Sequence, residues 1–342
     1  MTRKMAIVKK AGEVVFEESI IPALRENEVL LKTSYSSICG SDLHLFHDTH
    51  PFAKAPSAIG HELSGRIVAV GNAVKSLDLG DLVVPEPVLV CGVCGYCMGG
   101  SYHMCKNISF QYRRGQSGFS DYFIVEDRWA HRVPAHIGDK AASLVEPLAV
   151  AVHAVRKAGD MLAKSALVIG VGAIGTLTAH VCKVAGASKI SIIDPNIKRL
   201  RIAEDLTGAE GVHVGGQSPV SALMQVTKGA GYDVVFECTG LEECACDAVE
   251  VVKKLGVIVQ IGISKQNFRD YPYARLLQKE ITLRGSQAYC FDFERAIECL
   301  VSGVMDMTPY ITHEFHADQL REAFELASLP DTDSMKILVR YD

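Results

Sequence analysis

Residues 166–186 read ALVIGVGAIGTLTAHVCKVAG, an apolar run that meets a glycine-spaced turn and then a helical stretch. That order predicts a strand ending near Ile169, a turn carrying Gly170, Gly172 and Gly175, and a helix opening behind it. The spacing suits a pyrophosphate: the first glycine turns the chain, the second admits the anion to the backbone, and the helix N-terminus binds its charge. Ile174 sits in the same turn and counts with the three glycines among the cofactor-binding candidates. Nineteen residues beyond Gly175, Asp194 closes the run KISIID. A carboxylate there would accept ribose hydroxyls and repel a 2′-phosphate, so NAD is expected over NADP. Arg199 either touches the same ribose or is a solvated helix residue.

Outward from this turn, strand and helix patterns alternate. The helical stretch PLAVAVHAVRKAG precedes it; KISIID, VHVGG, YDVVFECTG, GVIVQIG and ITLRGS follow, which makes six strand candidates and one doubly wound parallel sheet. Thr239 and Gly240 fall at the end of the fourth strand, where cofactor-facing residues belong, and Cys238 beside them reads as packing. Arg284, in ITLRGS, reaches either a cofactor phosphate or a strand-end partner. Before about residue 145 the rhythm differs: EVLLKT, GRIVAVG, DLVVPEP and DYFIVE are short runs separated by Gly, Pro and Asp, the pattern of a compact antiparallel sheet. The expected division is a β-rich catalytic domain over residues 1–147, a dinucleotide-binding domain over 148–286, and a tail over 287–342 that is too short for a domain and folds back on the first.

The bulk properties exclude several classes of function. A chain of 342 residues with 48% hydrophobic residues fills two cores, and a formal charge of −5 offers no basic field for nucleic acid or an anionic membrane. The N-terminus has only a short apolar stretch between lysines, and no uncharged run reaches spanning length. A cytoplasmic protein that contacts no membrane is expected. Eleven cysteines then fit a reducing compartment, where thiols bind metal or pack as small apolar groups.

Four of those cysteines, Cys91, Cys94, Cys97 and Cys105, fall in CGVCGYCMGGSYHMC within a lobe of residues 88–108. The spacing closes a tetrahedral thiolate cage for Zn²⁺, in preference to two disulfides. Four thiolates leave no open position for a substrate, so this ion is structural and the chemistry lies elsewhere. Cys39 in ICGSDLH and His61 in IGHELSG are too far along the chain to join that cage, and they are candidates for a second zinc.

The residues around them decide the matter. Cys39-Gly40-Ser41-Asp42-x-His44, Gly60-His61-Glu62, the four-cysteine lobe and Glu146-Pro147-Leu148-Ala149-Val150 resemble, in order and over essentially the whole chain, the zinc-dependent medium-chain dehydrogenase/reductases. Within them the chain is most similar to the polyol and sugar-acid branch, of sorbitol and L-idonate dehydrogenases. The resemblance implies a Rossmann domain joined to a β-rich GroES-like catalytic domain, and a catalytic zinc held by Cys39, His61 and a carboxylate. Glu146 stands where simple alcohol dehydrogenases carry a second cysteine. One thiolate, neutral His61 and one carboxylate leave the ion neutral and a good Lewis acid; ligation by both Glu62 and Glu146 would weaken it, so one binds at a time. The sequence leaves open which is direct. Asp42 orients the His61 ring or caps the turn.

By the same resemblance, the reaction is oxidation of a secondary alcohol. The proton passes from the substrate hydroxyl through Ser41 and the nicotinamide ribose to His44. In FQYRRGQSG, Arg113 and Arg114 offer forked donors for a carboxylate, which tilts the substrate toward a sugar acid. Threonine 3-dehydrogenase, with the same zinc and NAD apparatus, is the second enzyme reading, and a nonenzymatic zinc- and NAD(H)-binding redox sensor is the alternative from another class. The family suggests a homotetramer or homodimer.

Overall fold

The computed structural model describes the chain except residues 52, 112–114, 265 and 330–331. It divides into two compact units, Pro147–Tyr289 and the pair of segments Met1–Glu146 and Cys290–Asp342.

In the continuous unit, six strands form one parallel sheet in the order Glu210–Gly211, Lys189–Ile193, Ser165–Ile169, Tyr232–Glu237, Val252–Gln260, Thr282–Gly285. In order of sequence this is 3-2-1-4-5-6, with the reversal between Ser165–Ile169 and Tyr232–Glu237, the position at which such sheets bind their ligands. The central strands are apolar because helices cover them. Leu167, Val168, Val234, Val235, Ile258 and Val259 are all buried. The third strand differs from the expected VHVGG. Only Glu210–Gly211 pair as a strand, Val212 adds one further backbone bond to Ile192 at 2.8 Å, and Gly215 and Gly216 then take positive φ, which turns the chain away.

The other unit is built on a seven-stranded sheet in which Glu28–Ser37 is central. It pairs antiparallel with Glu62–Val70, with Tyr122–Glu126 and with Lys336–Arg340. Alternation sets the faces: Val29, Leu31, Leu63, Ile67, Val83 and Phe123 share one core. The closing segment adds Leu320, Phe324, Ile337 and Val339 to a second core with Ala6, Val8 and Phe119.

Three parts of this unit meet at a buried polar cluster. The Tyr102 hydroxyl donates to Glu86 Oε1 at 2.7 Å and accepts from the Phe291 amide at 2.9 Å, while His131 Nε2 lies 3.0 Å from Glu86 Oε2. His131 Nδ1 is 3.4 Å from Glu294 Oε1. Burial alone would pull the imidazole down, but its bonds to Glu294 and Glu86 outweigh this and raise it to about 9. The unfolded chain titrates near 6.5, so this contribution is complete below that pH and is lost as pH rises through about 9. Discounted for the exposure of Glu294, it amounts to about 2 kcal/mol. The melting temperature is therefore expected to fall between pH 7 and 9.5, and His131→Gln to flatten that fall; an equal slope in both proteins would refute the assignment.

Candidate active site

The four lobe cysteines come together, with one sulfur from each within 4.8 Å of the others. The separations are 3.5 Å for Cys91 and Cys105, 3.6 Å for Cys94 and Cys97, and 4.0 Å for Cys91 and Cys97. A tetrahedron of zinc–sulfur bonds near 2.3 Å has edges of about 3.8 Å, so the cage fits this ion. Backbone amides add donors to the sulfurs: those of Cys91 and Asn107 reach Cys105 Sγ at 3.3 Å, and that of Cys94 reaches Cys91 Sγ at 3.4 Å. These amides favour thiolate. Donation from the Cys97 backbone is the largest influence bringing Cys94 down to about 6.

A second donor group consists of Cys39, His61 and Glu62, again with one atom from each within 4.8 Å of the others. Its assembly follows from strand register. Glu28–Ser37 delivers Cys39 just past its end, and the neighbouring strand begins at Glu62, which pairs with Ser37. Asp42 joins the two sides: its Oδ2 accepts from the Cys39 amide at 3.1 Å and its Oδ1 from the Gly60 amide at 2.9 Å. Asp42 Oδ1 lies 3.8 Å from His61 Nδ1, so its direct bonds are to backbone, and it steers the ring by charge. Burial would lower His61, but Cys39, Asp42 and Glu146 together hold it well above the ordinary value. Glu146, buried in the first turn of the helix Val145–Ala158, acts on His61 electrostatically yet is not one of the three closely spaced donors.

Ser41 and His44 lie three residues apart on the helix Gly40–Phe46, hence on one face, and His44 Nδ1 is 3.2 Å from Thr49 Oγ1. Arg113 and Arg114 lie outside the described residues.

In the parallel sheet the turn after Ile169 has the predicted form. Gly170 has φ +86°, and a Cβ on Gly175 would come within 1.9 Å of the Gly170 carbonyl, so the helix Ala173–Val184 packs on the turn only with glycine there. A Cβ on Gly172 would meet nothing within 4 Å, an open cradle at the helix N-terminus that fits a pyrophosphate; Ile174 is half-buried in the same first turn. Asp194 Oδ2 accepts from the Val171 amide at 2.9 Å, which puts the carboxylate against the glycine turn. Arg199 presents a buried Nε that has no hydrogen-bond partner among the described residues. The amides of Thr239 and Gly240 are committed to the buried carboxylate of Glu237, at 2.7 and 2.9 Å. Burial pushes the Cys238 thiol well up, as suits packing. The Arg284 guanidinium donates to the Lys157 carbonyl at 2.6 Å, beside a helix C-terminus, where a cation is favoured.

Sequence reasoning missed two residues at the Cys39 group. Ser37 Oγ and Lys336 Nζ both donate to Glu62 Oε2, and Lys336 is 2% exposed. Lys336 opens the strand Lys336–Arg340, whose first four residues are all buried, so alternation along the run does not single it out.

A doubly wound dinucleotide sheet, in one chain with a closed four-thiol cage and an open three-donor group, defines a zinc-binding dehydrogenase. Residues 25–135 match the model of the alcohol dehydrogenase GroES-like domain, and residues 173–302 that of the zinc-binding dehydrogenases. The chain is 31% identical to L-threonine 3-dehydrogenase of Bacillus velezensis, over 94% of each chain, and 29% identical to sorbitol dehydrogenase of Halalkalibacterium halodurans, over 96% of each. Among solved structures it is similar to L-idonate 5-dehydrogenase of Escherichia coli, with a TM-score of 0.90 and 29% identity over 100% of this chain and 99% of the other. It is also similar to a zinc-binding dehydrogenase of Sinorhizobium meliloti 1021 bound to NADP, with a TM-score of 0.92 and 26% identity over the whole of both chains. The chain belongs to the zinc-dependent medium-chain alcohol dehydrogenases, oxidoreductases that act on CH–OH groups. Among the described residues no helix is long and apolar enough to cross a membrane.

Proposed function

We propose that this chain uses NAD to interconvert a secondary alcohol and a ketone of a polyol or sugar acid. The observation that carries the reading is the group of Cys39, His61 and Glu62, whose three donors leave a tetrahedral ion one position for a substrate oxygen. Zinc held there would supply Lewis acidity that lowers the pKa of a bound hydroxyl toward neutrality, and NAD would supply the hydride acceptor. Ser41 would accept the hydroxyl proton while passing its own through the nicotinamide ribose to His44, one helical turn on, whose imidazole would release it to solvent. Glu62 is the direct carboxylate ligand, and Glu146 contributes charge from beside the group. Gly170, Gly172, Ile174 and Gly175 would hold the pyrophosphate and Asp194 and Arg199 the adenosine ribose; Thr239 and Gly240, which follow the strand Tyr232–Glu237, would face the nicotinamide.

Asp194 favours NAD because a carboxylate against the glycine turn repels a 2′-phosphate. The NADP-bound relative makes this a point to measure. The sorbitol and L-idonate enzymes among the relatives support a polyol or sugar acid, and Arg113 and Arg114 are the proposed partners of an acid carboxylate. A cytoplasmic homo-oligomer belongs to the same proposal.

The test is a panel of polyols, aldonates, their keto forms and threonine, read by the absorbance of NADH and of NADPH. Oxidation of a polyol or aldonate with NAD preferred at least tenfold is expected, and Asp194→Ala should narrow that preference by roughly tenfold, about the worth of one charged contact. Fastest turnover with threonine would overturn the substrate class, and preference for NADP would overturn the role of Asp194.

A further inference from the structure

Glu62 uses its two oxygens unequally. Oε2 receives both the Ser37 hydroxyl and the Lys336 ammonium, whereas Oε1 is buried without a hydrogen-bond partner among the described residues. An orphaned carboxylate oxygen in a dry site is costly unless something else binds it. The three residues arrive on adjacent strands: Ser37 pairs with Glu62 on one side and with Leu338 on the other, and Lys336 lies two residues before Leu338. The ammonium is fixed further by the Ile38 carbonyl at 3.3 Å. Lys336 is also the cation that offsets this corner of the protein, since Cys39, Glu62 and Glu146 all act on it.

Building on the metal reading above, we propose that Lys336 is a positioning residue: it occupies Oε2, so Glu62 offers the metal Oε1 alone, and its charge keeps the donor set from binding the ion too tightly. Both effects point the same way. A carboxylate with one oxygen engaged by an ammonium is the weaker donor, and a second bound oxygen would fill the position that substrate needs. A fixed positive charge beside the site also lowers affinity for any divalent cation. The chain thus gives up metal affinity and retains an ion that is open and electron-poor.

The measurement is zinc retention by the full-length, zinc-loaded enzyme against increasing chelator, with the visible spectrum of the cobalt-substituted protein as a second readout; the four-cysteine site serves as internal reference. Lys336→Met is expected to hold its second metal on the order of tenfold or more tighter than wild type while kcat falls, with a cobalt spectrum shifted toward higher coordination. Lys336→Arg, which keeps the charge, should stay near wild type in affinity. A purely structural lysine predicts the opposite sign, so looser or unchanged metal in Lys336→Met overturns the proposal. If Lys336→Met does not fold, the neutral pair Glu62→Gln with Lys336→Met is compared with Glu62→Gln alone; the added substitution should again tighten the metal, and looser or equal binding overturns the proposal. Cys39→Ala is the control for the reading beneath: if it retains two metals per chain, the location of the site is wrong, whatever Lys336 does.

Discussion

Cys39→Ala is expected to lose one of two zinc ions per chain and on the order of a thousandfold or more in kcat/KM, while its melting temperature changes little. The size follows from what the ion supplies. Lewis-acid stabilisation of developing negative charge is worth several kcal/mol, and each 1.36 kcal/mol is about tenfold in rate. The fold should survive because Asp42 holds this corner through the backbone amides of Cys39 and Gly60, neither of which requires the sulfur. Metal analysis together with turnover on the best substrate of the panel checks both halves. Full activity with one zinc lost would place the chemistry at another site, and two zincs retained with activity gone would leave Cys39 without its assigned part.

Removal of the four-cysteine cage should act through stability instead. The segment from Cys91 to Cys105 has little apolar content of its own to bury: Val93 and Met98 are 80% and 75% exposed, and its helix, Gly95–Met98, is a single turn. Structural zinc supplies about 10–16 kcal/mol of apparent folding energy to small peptides that lack a core, and even a third of that would lower a domain of this size by roughly 10 °C. Cys97→Ser with Cys105→Ser is therefore expected to lose one zinc, melt at least about 10 °C lower and become sensitive to protease within the lobe. Tyr102, on the same excursion, anchors Glu86 and Phe291, so loosening should spread to the cluster around His131. A variant that melts like wild type would show that backbone and packing alone hold the lobe.

Much of this arrangement was legible before any coordinates, for physical reasons that differ by element. The glycine turn was readable because each glycine has its own cause: Gly170 takes a positive φ, a Cβ on Gly175 would strike the Gly170 carbonyl, and Gly172 leaves open the space a pyrophosphate would need. The parallel strands were readable because burial on both faces forces continuous apolar runs. The third was misplaced, since valines at 212 and 214 imitate a strand while the paired stretch is Glu210–Gly211, with one further backbone bond from Val212. The cysteine spacing was readable because four sulfurs must reach one point over a short contour. By contrast, Lys336 lies 274 residues from Glu62, and no local pattern links them. Arg284 shows the complementary difficulty: a strand-end arginine is chemically suited to a phosphate and to a helix carbonyl alike, and the sequence does not show that the Lys157 carbonyl lies within its reach.

That long separation has a temporal consequence in the cell. At about 5–20 residues per second, the ribosome needs roughly 15–55 s after Glu62 to deliver Lys336, and the whole dinucleotide unit is made in between. During this interval the nascent chain carries Cys39, His61 and two acidic side chains without their ammonium. If that charge weakens binding as argued, the half-made site is greedier for stray divalent ions than the finished one, and arrival of the last strand would loosen a wrong guest.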